Sequence, residues 1–498
     1  MPQFTEPPSP SERPAVAWTL LNAAAGLAGG LTLGWGPLAA PTAVIAGLGL
    51  LGALLGAAAA RWADRAGQRR RLLLAHAALL VTVALAALIP LYRIGALAPP
   101  GEGRVGNFRR LRRALDAAYP YVELKGVDWD AAYERYAPQV AEAKTDEAYW
   151  SLVARMLAEL NDGHTGVTSP SARSGLRTFA ACRDLDGTLV LDRVGATAQA
   201  AGLARGDIVL TVDGRPIEEA LAAVPAVLAG GSTPEQRRAA AAEVVLSTRG
   251  EGLTVTVVDA RAQERTVTLR VPDDPPPPPP APQGPRITGE RLPSGLGLIR
   301  VPSFGDRDLV AEFDAALDPL MDAPGLILDL RGNGGGNTFV SDPIAGRFLA
   351  APFTYGREHF RLRLPQRGWR PHFDYRVTPR GELYTGPVIL LIDGGCFSTA
   401  ENFIVALVDV GRATTVGRAT GAGSGNPLPF RLTGGARARF STGDFRRNDG
   451  TPIEGRGITP DVPVAWTVDD LREGRDPDLD VAVGLLLAAQ PASAAGGP

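Results

Sequence analysis

The stretch "GLILDLRGNGGGN", residues 325–337, runs from a short apolar segment into a cluster of glycines. An apolar run of this length, bounded by glycines, reads as a buried strand followed by a tight turn. Glycines lack a Cβ, so their amides can approach a bound group closely and point into one spot. A phosphate cradle would end in Gly-Lys-Ser or Gly-Lys-Thr, and no lysine follows Lys144; a hole for a developing oxyanion fits better. The pattern returns in "GPVILLIDGGCFSTAENF", residues 386–403, with Ser398 at the turn before a helical stretch. Strand-like runs at 296–304 and 413–421 alternate with helical stretches at 307–321 and 399–410, so residues 286–488 read as an α/β core.

Ser398 is either a nucleophile or one polar residue in a strand-to-helix turn. A serine hydroxyl is inert until a base, an orienting group and oxyanion donors surround it. The Thr399 amide, just inside the helix, is placed to donate to an oxyanion with help from the helix dipole.

Composition narrows the alternatives. A chain of 498 residues is long for one domain, and a formal net charge of -2 gives no basic surface for nucleic acid. Cys182 and Cys396 show no metal-ligand spacing, and no metal or organic cofactor is expected. Lys125 and Lys144 are the only lysines among the 51 lysines and arginines together.

Upstream of the core, residues 105–183 are helical in pattern. "DEAYWSLVARMLAEL", residues 146–160, is preceded by Thr145, a good helix cap, and runs into the turn-forming "NDGHTG", which puts His164 on a loop beyond a helix end. Residues 184–271 read as short strands around "AAGLARGDIVLTVDGRPI", residues 200–217. This run resembles PDZ domains, small modules that add a peptide as an extra strand and capture its terminal carboxylate on backbone amides. The resemblance marks Gly202, Leu203, Gly206 and Asp207 as peptide-binding; a structural β-unit is the alternative. Residues 272–285, "PDDPPPPPPAPQGP", form a proline-rich linker, and residues 489–498 a flexible tail.

Residues 15–95 hold three apolar stretches, about Ala15 to Trp35, Leu38 to Ala60 and Leu72 to Tyr92, each near the roughly 20 residues that span a bilayer. The loop "RWADRAGQRRR", residues 61–71, carries five arginines and one aspartate, which orients it toward the cytoplasm. The expectation is a three-span transmembrane anchor in the lipid bilayer, with a cytoplasmic N-terminus at residues 1–14 and the catalytic part on the extracytoplasmic side of the inner membrane.

"LNDGHT", the PDZ-like run, "ILDLRGNGGGN", "DGGCFSTAENF" and "IEGRGITPDVPV" follow one another in the order found in the C-terminal-processing, or tail-specific, serine peptidases, which the chain resembles over residues 105–485. The resemblance implies a crotonase/ClpP-like α/β peptidase core, a helical N-terminal subdomain, an inserted PDZ-like domain, and protein or peptide substrates cleaved near their C-termini. In one branch of that family a lysine 25 residues beyond the serine is the base; that position is Gly423 here. The chain is therefore similar to the tricorn and interphotoreceptor retinoid-binding protein branch, in which a histidine and a glutamate serve. By that similarity Ser398, His164 and Glu454 are catalytic, with Thr399 and Gly334 or Gly335 as oxyanion donors. Tricorn places a serine immediately before the histidine; here Gly163 stands there, with Asp162 or Thr165 as substitutes. His359 and His372 lie in an arginine-rich and aromatic insertion, residues 357–376, that reads as a substrate-side flap or surface.

Overall fold

The computed structural model describes residues 102–169, 177–248, 250–271, 286–361 and 372–490. They belong to a compact unit spanning Gly101–Pro498. The N-terminal segment 1–14 expected to be cytoplasmic, the three apolar stretches of 15–95, the proline-rich linker and residues 491–498 of the tail lie outside the described residues.

The expected transmembrane anchor, and with it the multi-pass inner-membrane location, is corrected here. No helix among the described residues is long and apolar enough to cross a membrane. The longest, Arg104–Ala118, has 15 residues. At about 1.5 Å per residue it falls well short of a hydrocarbon core of about 30 Å. Its sequence also carries arginines, as an amphipathic helix does and a spanning one does not.

The core is a six-stranded sheet in the order Thr288–Arg291, Gly297–Arg300, Leu326–Asp329, Val388–Ile392, Ala413–Gly417 and Val462–Pro463. The first pair is antiparallel and every later pair parallel. Parallel strands buried on both faces need apolar residues at odd and even positions alike, which is what "LILD" and "VILLI" supply. Leu326, Leu328, Val388, Leu390 and Ile392 face one layer with Phe304, Phe313, Phe348 and Phe403. Ile327, Ile389 and Leu391 face the other, with Ala482 and Leu486 of the helix Pro477–Ala488. Strands Leu326–Asp329 and Val388–Ile392 are hydrogen-bonded neighbours running the same way. Their glycine-rich turns consequently meet at one carboxyl edge of the sheet, where α/β folds place their ligands.

The helices Arg104–Ala118, Trp129–Glu142 and Asp146–Ala158 precede the core. Thr145 caps the last of them by accepting the Ala148 amide at 3.2 Å, with Asp146 and Glu147 in its first turn. A fourth, four-residue helix, Val122–Lys125, is one the periodicity does not show, since one turn is too short to carry a period. Between helices and core lies an antiparallel sheet in the order Ala180–Leu185, Thr188–Val194, Ile208–Val212, Gly252–Val258 and Glu264–Arg270. Leu191, Leu203, Val209, Val255 and Val257 form its own apolar core. The helix Pro234–Val245 packs along its edge strand Ala180–Leu185.

Candidate active site

Ser398 begins the helix Thr399–Val408 with φ +59° and ψ −122°. A non-glycine residue at positive φ costs of order 1–3 kcal/mol, and it persists only where the surroundings dictate it. Here they do. The Ser398 amide donates to the Gly423 carbonyl at 3.1 Å and to Glu401 Oε2 at 3.1 Å. Glu401, wholly buried one turn into the helix, also accepts from Gly423 N at 2.9 Å, Ala422 N at 3.0 Å and Thr420 Oγ1 at 2.5 Å. Burial pushes its carboxyl up to about 8, against those hydrogen bonds, which favour the charged form. Glu401 thus pins the serine turn to the loop 420–423.

The glycine run closes over the same turn. Thr399 Oγ1 donates to the Gly336 carbonyl at 3.0 Å. Gly335 has φ +93°, and a Cβ there would sit 2.5 Å from the Phe397 carbonyl and 3.0 Å from Ser398 Cβ. Its amide donates to Asn333 Oδ1 at 2.9 Å. Of the two glycines named from sequence, Gly334 is therefore the one whose amide is not spent within the loop, and a Cβ on it would meet nothing within 4 Å. The Thr399 amide, first in its helix, has no intrahelical acceptor.

His164 is buried on the loop after Asp146–Ala158. Asp162 builds that loop: Oδ1 accepts the His164 amide at 2.8 Å and Oδ2 accepts Thr165 Oγ1 at 2.6 Å. The strand Gly166–Thr168 then pairs with Arg437–Phe440, fastening the loop to the C-terminal half of the core. From the antiparallel module, Ser232 Oγ accepts the Gly163 amide at 3.0 Å.

The imidazole stacks on Phe397, with ring centroids 4.5 Å apart and planes at 26°. That ring explains two glycines at once. A Cβ at Gly423 would lie 1.7 Å from Phe397 Cε2, and one at Gly163 2.8 Å from Cζ. The space that a lysine base would need at 423 is filled by phenylalanine, and the same ring crowds a serine before the histidine.

Glu454 is buried in the turn after residue 452, and its Oε2 accepts the Ser424 amide at 3.0 Å. Asp162, His164 and Glu454 each bring one polar atom within 4.8 Å of the others. These are side chains of types that ligate metals. The Lys125 ammonium, however, stands 2.6 Å from Glu454 Oε1, so the chain itself supplies the positive charge at this corner. Burial pushes the His164 imidazole down, opposed by Asp162, and pushes the Glu454 carboxyl up, with Asp162 adding to the rise and Lys125 opposing it. The structure thus gathers His164 and Glu454, while no hydrogen bond joins Ser398 Oγ to His164 or His164 to Glu454.

The four residues marked in the antiparallel module lie elsewhere. The amides of Gly202, Leu203, Gly206 and Asp207 donate to the carbonyls of Gln199, Ala198, Leu191 and Ala204, at 2.9, 3.0, 2.8 and 3.2 Å. Asp207 Oδ2 accepts the Ala204 amide at 2.9 Å, and Arg472 Nε donates to the Gly206 carbonyl at 3.3 Å. The run is held by internal turn bonds, which leaves capture of a carboxylate to other amides. His359 and His372 face each other across a strand pair in a separate three-stranded sheet. Sequence reading missed Lys125, Phe397, Glu401 and Asn333. For Lys125 the signal was its rarity among 49 arginines; for Glu401 it was its place three residues after Ser398.

The profile of peptidase family S41 matches residues 295–464, and that of the Tricorn protease C1 domain matches residues 100–158. Tricorn protease homolog 1 of Streptomyces coelicolor is 26% identical over 405 residues, 77% of this chain and 35% of that protein. The chloroplastic C-terminal processing peptidase of Tetradesmus obliquus is 24% identical over 370 residues, 70% of this chain and 75% of that one. The crystal structure of mature CPAF superposes with a TM-score of 0.63 at 17% identity, covering 78% of this chain and 98% of that one. The chain spans about a third of the length of its Streptomyces relatives. Together the fold and these matches define the core of a serine-type peptidase. Residues 295–464, which hold both glycine turns and Glu454, are similar to peptidase family S41, and longer stretches of the chain are similar to C-terminal processing peptidases.

Proposed function

We propose that the chain hydrolyses peptide bonds of proteins or peptides near their C-termini, with Ser398 as nucleophile, His164 as general base and Glu454 as its orienting acid, in the manner of the tricorn-like branch. The observation that carries this reading is Ser398 held at φ +59° at the head of a helix, beside a glycine turn and a buried histidine–glutamate pair. His164 removes the Ser398 proton as the hydroxyl attacks the carbonyl, and Glu454 stabilises the charged ring. The Thr399 and Gly334 amides receive the oxyanion, each such donor contributing about 3 kcal/mol in the transition state. His164 then protonates the leaving amine, and water releases the acyl group. The antiparallel module serves as a PDZ-like receptor: a substrate C-terminus adds to the edge strand Ala180–Leu185 beside the helix Pro234–Val245.

A non-catalytic, peptide-binding scaffold of the same fold is the second reading, favoured by the missing hydrogen bond between Ser398 and His164. Catalytic hydrogen bonds are often long before substrate binds, so labelling decides the matter. A fluorophosphonate is expected to label the folded protein, and Ser398→Ala to abolish labelling and hydrolysis of fluorescent casein. Absence of labelling in folded wild-type protein would leave the scaffold reading.

A further inference from the structure

Lys125 ends the short helix Val122–Lys125, which Gly126 stops at φ +63°. Its ammonium is 2.6 Å from Glu454 Oε1 and donates to the Asn161 carbonyl at 2.8 Å, three residues before His164. The Lys125 side chain is 8% exposed and that of Glu454 0%. Removing two charges from water costs several kcal/mol each, and an ion pair at this depth is weak evidence for stability alone. A lysine is also a compact point charge, whereas nearly every other cation in this chain is an arginine. One ammonium therefore joins two chain segments that must be in register for chemistry: the loop of the base and the turn of the acid.

We propose that Lys125 is a positioning residue of the proteolytic site, its ammonium neutralising Glu454 and clamping it to the loop that carries His164. This rests on the Ser398–His164–Glu454 reading and adds a fourth member to it. The position is one that neither Gly163 nor a lysine at 423 can supply, because the Phe397 ring occupies both spaces.

The charge balance explains the need. Glu454 faces the Asp162 carboxyl, the His164 imidazole, the Tyr119 and Tyr121 phenols and the Lys125 ammonium, while Arg439 faces His164. Two buried carboxylates side by side resist ionising together. Lys125 is the cation that lets Glu454 keep its charge and so stabilise an imidazolium. Removing that positive charge raises the proton affinity of the coupled His164–Glu454 pair. The proton lodges on Glu454, the group that burial pushes up, so to higher pH the carboxyl is neutral and cannot stabilise the imidazolium.

The test uses the full-length chain and the rate of fluorophosphonate labelling from about pH 5 to 9. Lys125→Met is expected to lower the rate at pH 7 about tenfold and to move the acid limb up by about one unit. Lys125→Gln keeps an N–H donor, one bond shorter, without the charge and is expected to show the same shift. Lys125→Arg keeps the charge and should hold the limb at its wild-type position. Thermal unfolding confirms that each variant is folded; should Lys125→Met not fold, Lys125→Gln carries the test. An unmoved limb in Lys125→Gln, whatever its plateau, overturns the proposal. Failure of the underlying reading looks different, since Ser398→Ala would then label like wild type.

Discussion

Glu401 is the side chain whose removal should test most directly how the serine turn is held. Four donors converge on it: the amides of Ser398, Ala422 and Gly423 and the Thr420 hydroxyl. Glu401→Ala removes every acceptor. The Ser398 amide retains the Gly423 carbonyl at 3.1 Å, so three donors lose their partners in a buried site. An orphaned buried donor costs about 1–3 kcal/mol, and water entering the vacated space recovers part of that. The expected loss of stability is about 4 kcal/mol. Glu401→Gln keeps one oxygen and turns an NH2 toward the other two donors, for an expected loss of about 2 kcal/mol. Urea denaturation followed by circular dichroism measures both losses. Because Glu401 also pins the strained φ of Ser398, the labelling rate should fall in both variants at temperatures where both are folded. A Glu401→Ala protein as stable as wild type, or one that labels at the wild-type rate, would refute the claim that this carboxylate shapes the nucleophile.

Two further outcomes follow from the same geometry. Gly423→Lys should not rescue His164→Ala, because its Cβ would fall 1.7 Å from Phe397 Cε2; recovered casein hydrolysis in the double variant would show that the ring yields to a lysine base. Away from the site, burial raises the Asp342 carboxyl from 3.8 to about 7, against a hydrogen bond from Tyr355 Oη at 3.0 Å. The folded protein therefore holds a proton that the unfolded chain releases, and this contribution to stability is full below about pH 4 and lost as pH rises through about 7. Asp342→Asn should flatten that decline in denaturation midpoints measured across this range, and an unchanged slope would count against a protonated Asp342.

Much of the site was legible because it is written in local pattern. The strands "LILD" and "VILLI", their glycine turns and the helix after Ser398 are set by residues adjacent in the chain. So is the start of the helix that runs into the His164 loop, where Thr145 and the early acids suffice. The spacing of Ser398 and Gly423 excludes a lysine base without any structure. The marking of Gly202, Leu203, Gly206 and Asp207 shows the limit of such reading: a turn held by its own backbone bonds and a turn open to a ligand can share one sequence pattern.

The sequence by itself determined the α/β core, the serine at a strand-to-helix turn and the residue types available as its base and acid, since periodicity and turn chemistry act over a few residues. Tertiary structure alone decided what holds them. Phe397 lies against Gly163 and Gly423, Glu401 gathers four donors from two segments, and Lys125 reaches Glu454 across 329 positions of chain. These contacts depend on which buried surfaces fill one another and which charges must be paired once water is excluded. Such properties belong to the packed chain and have no local signature.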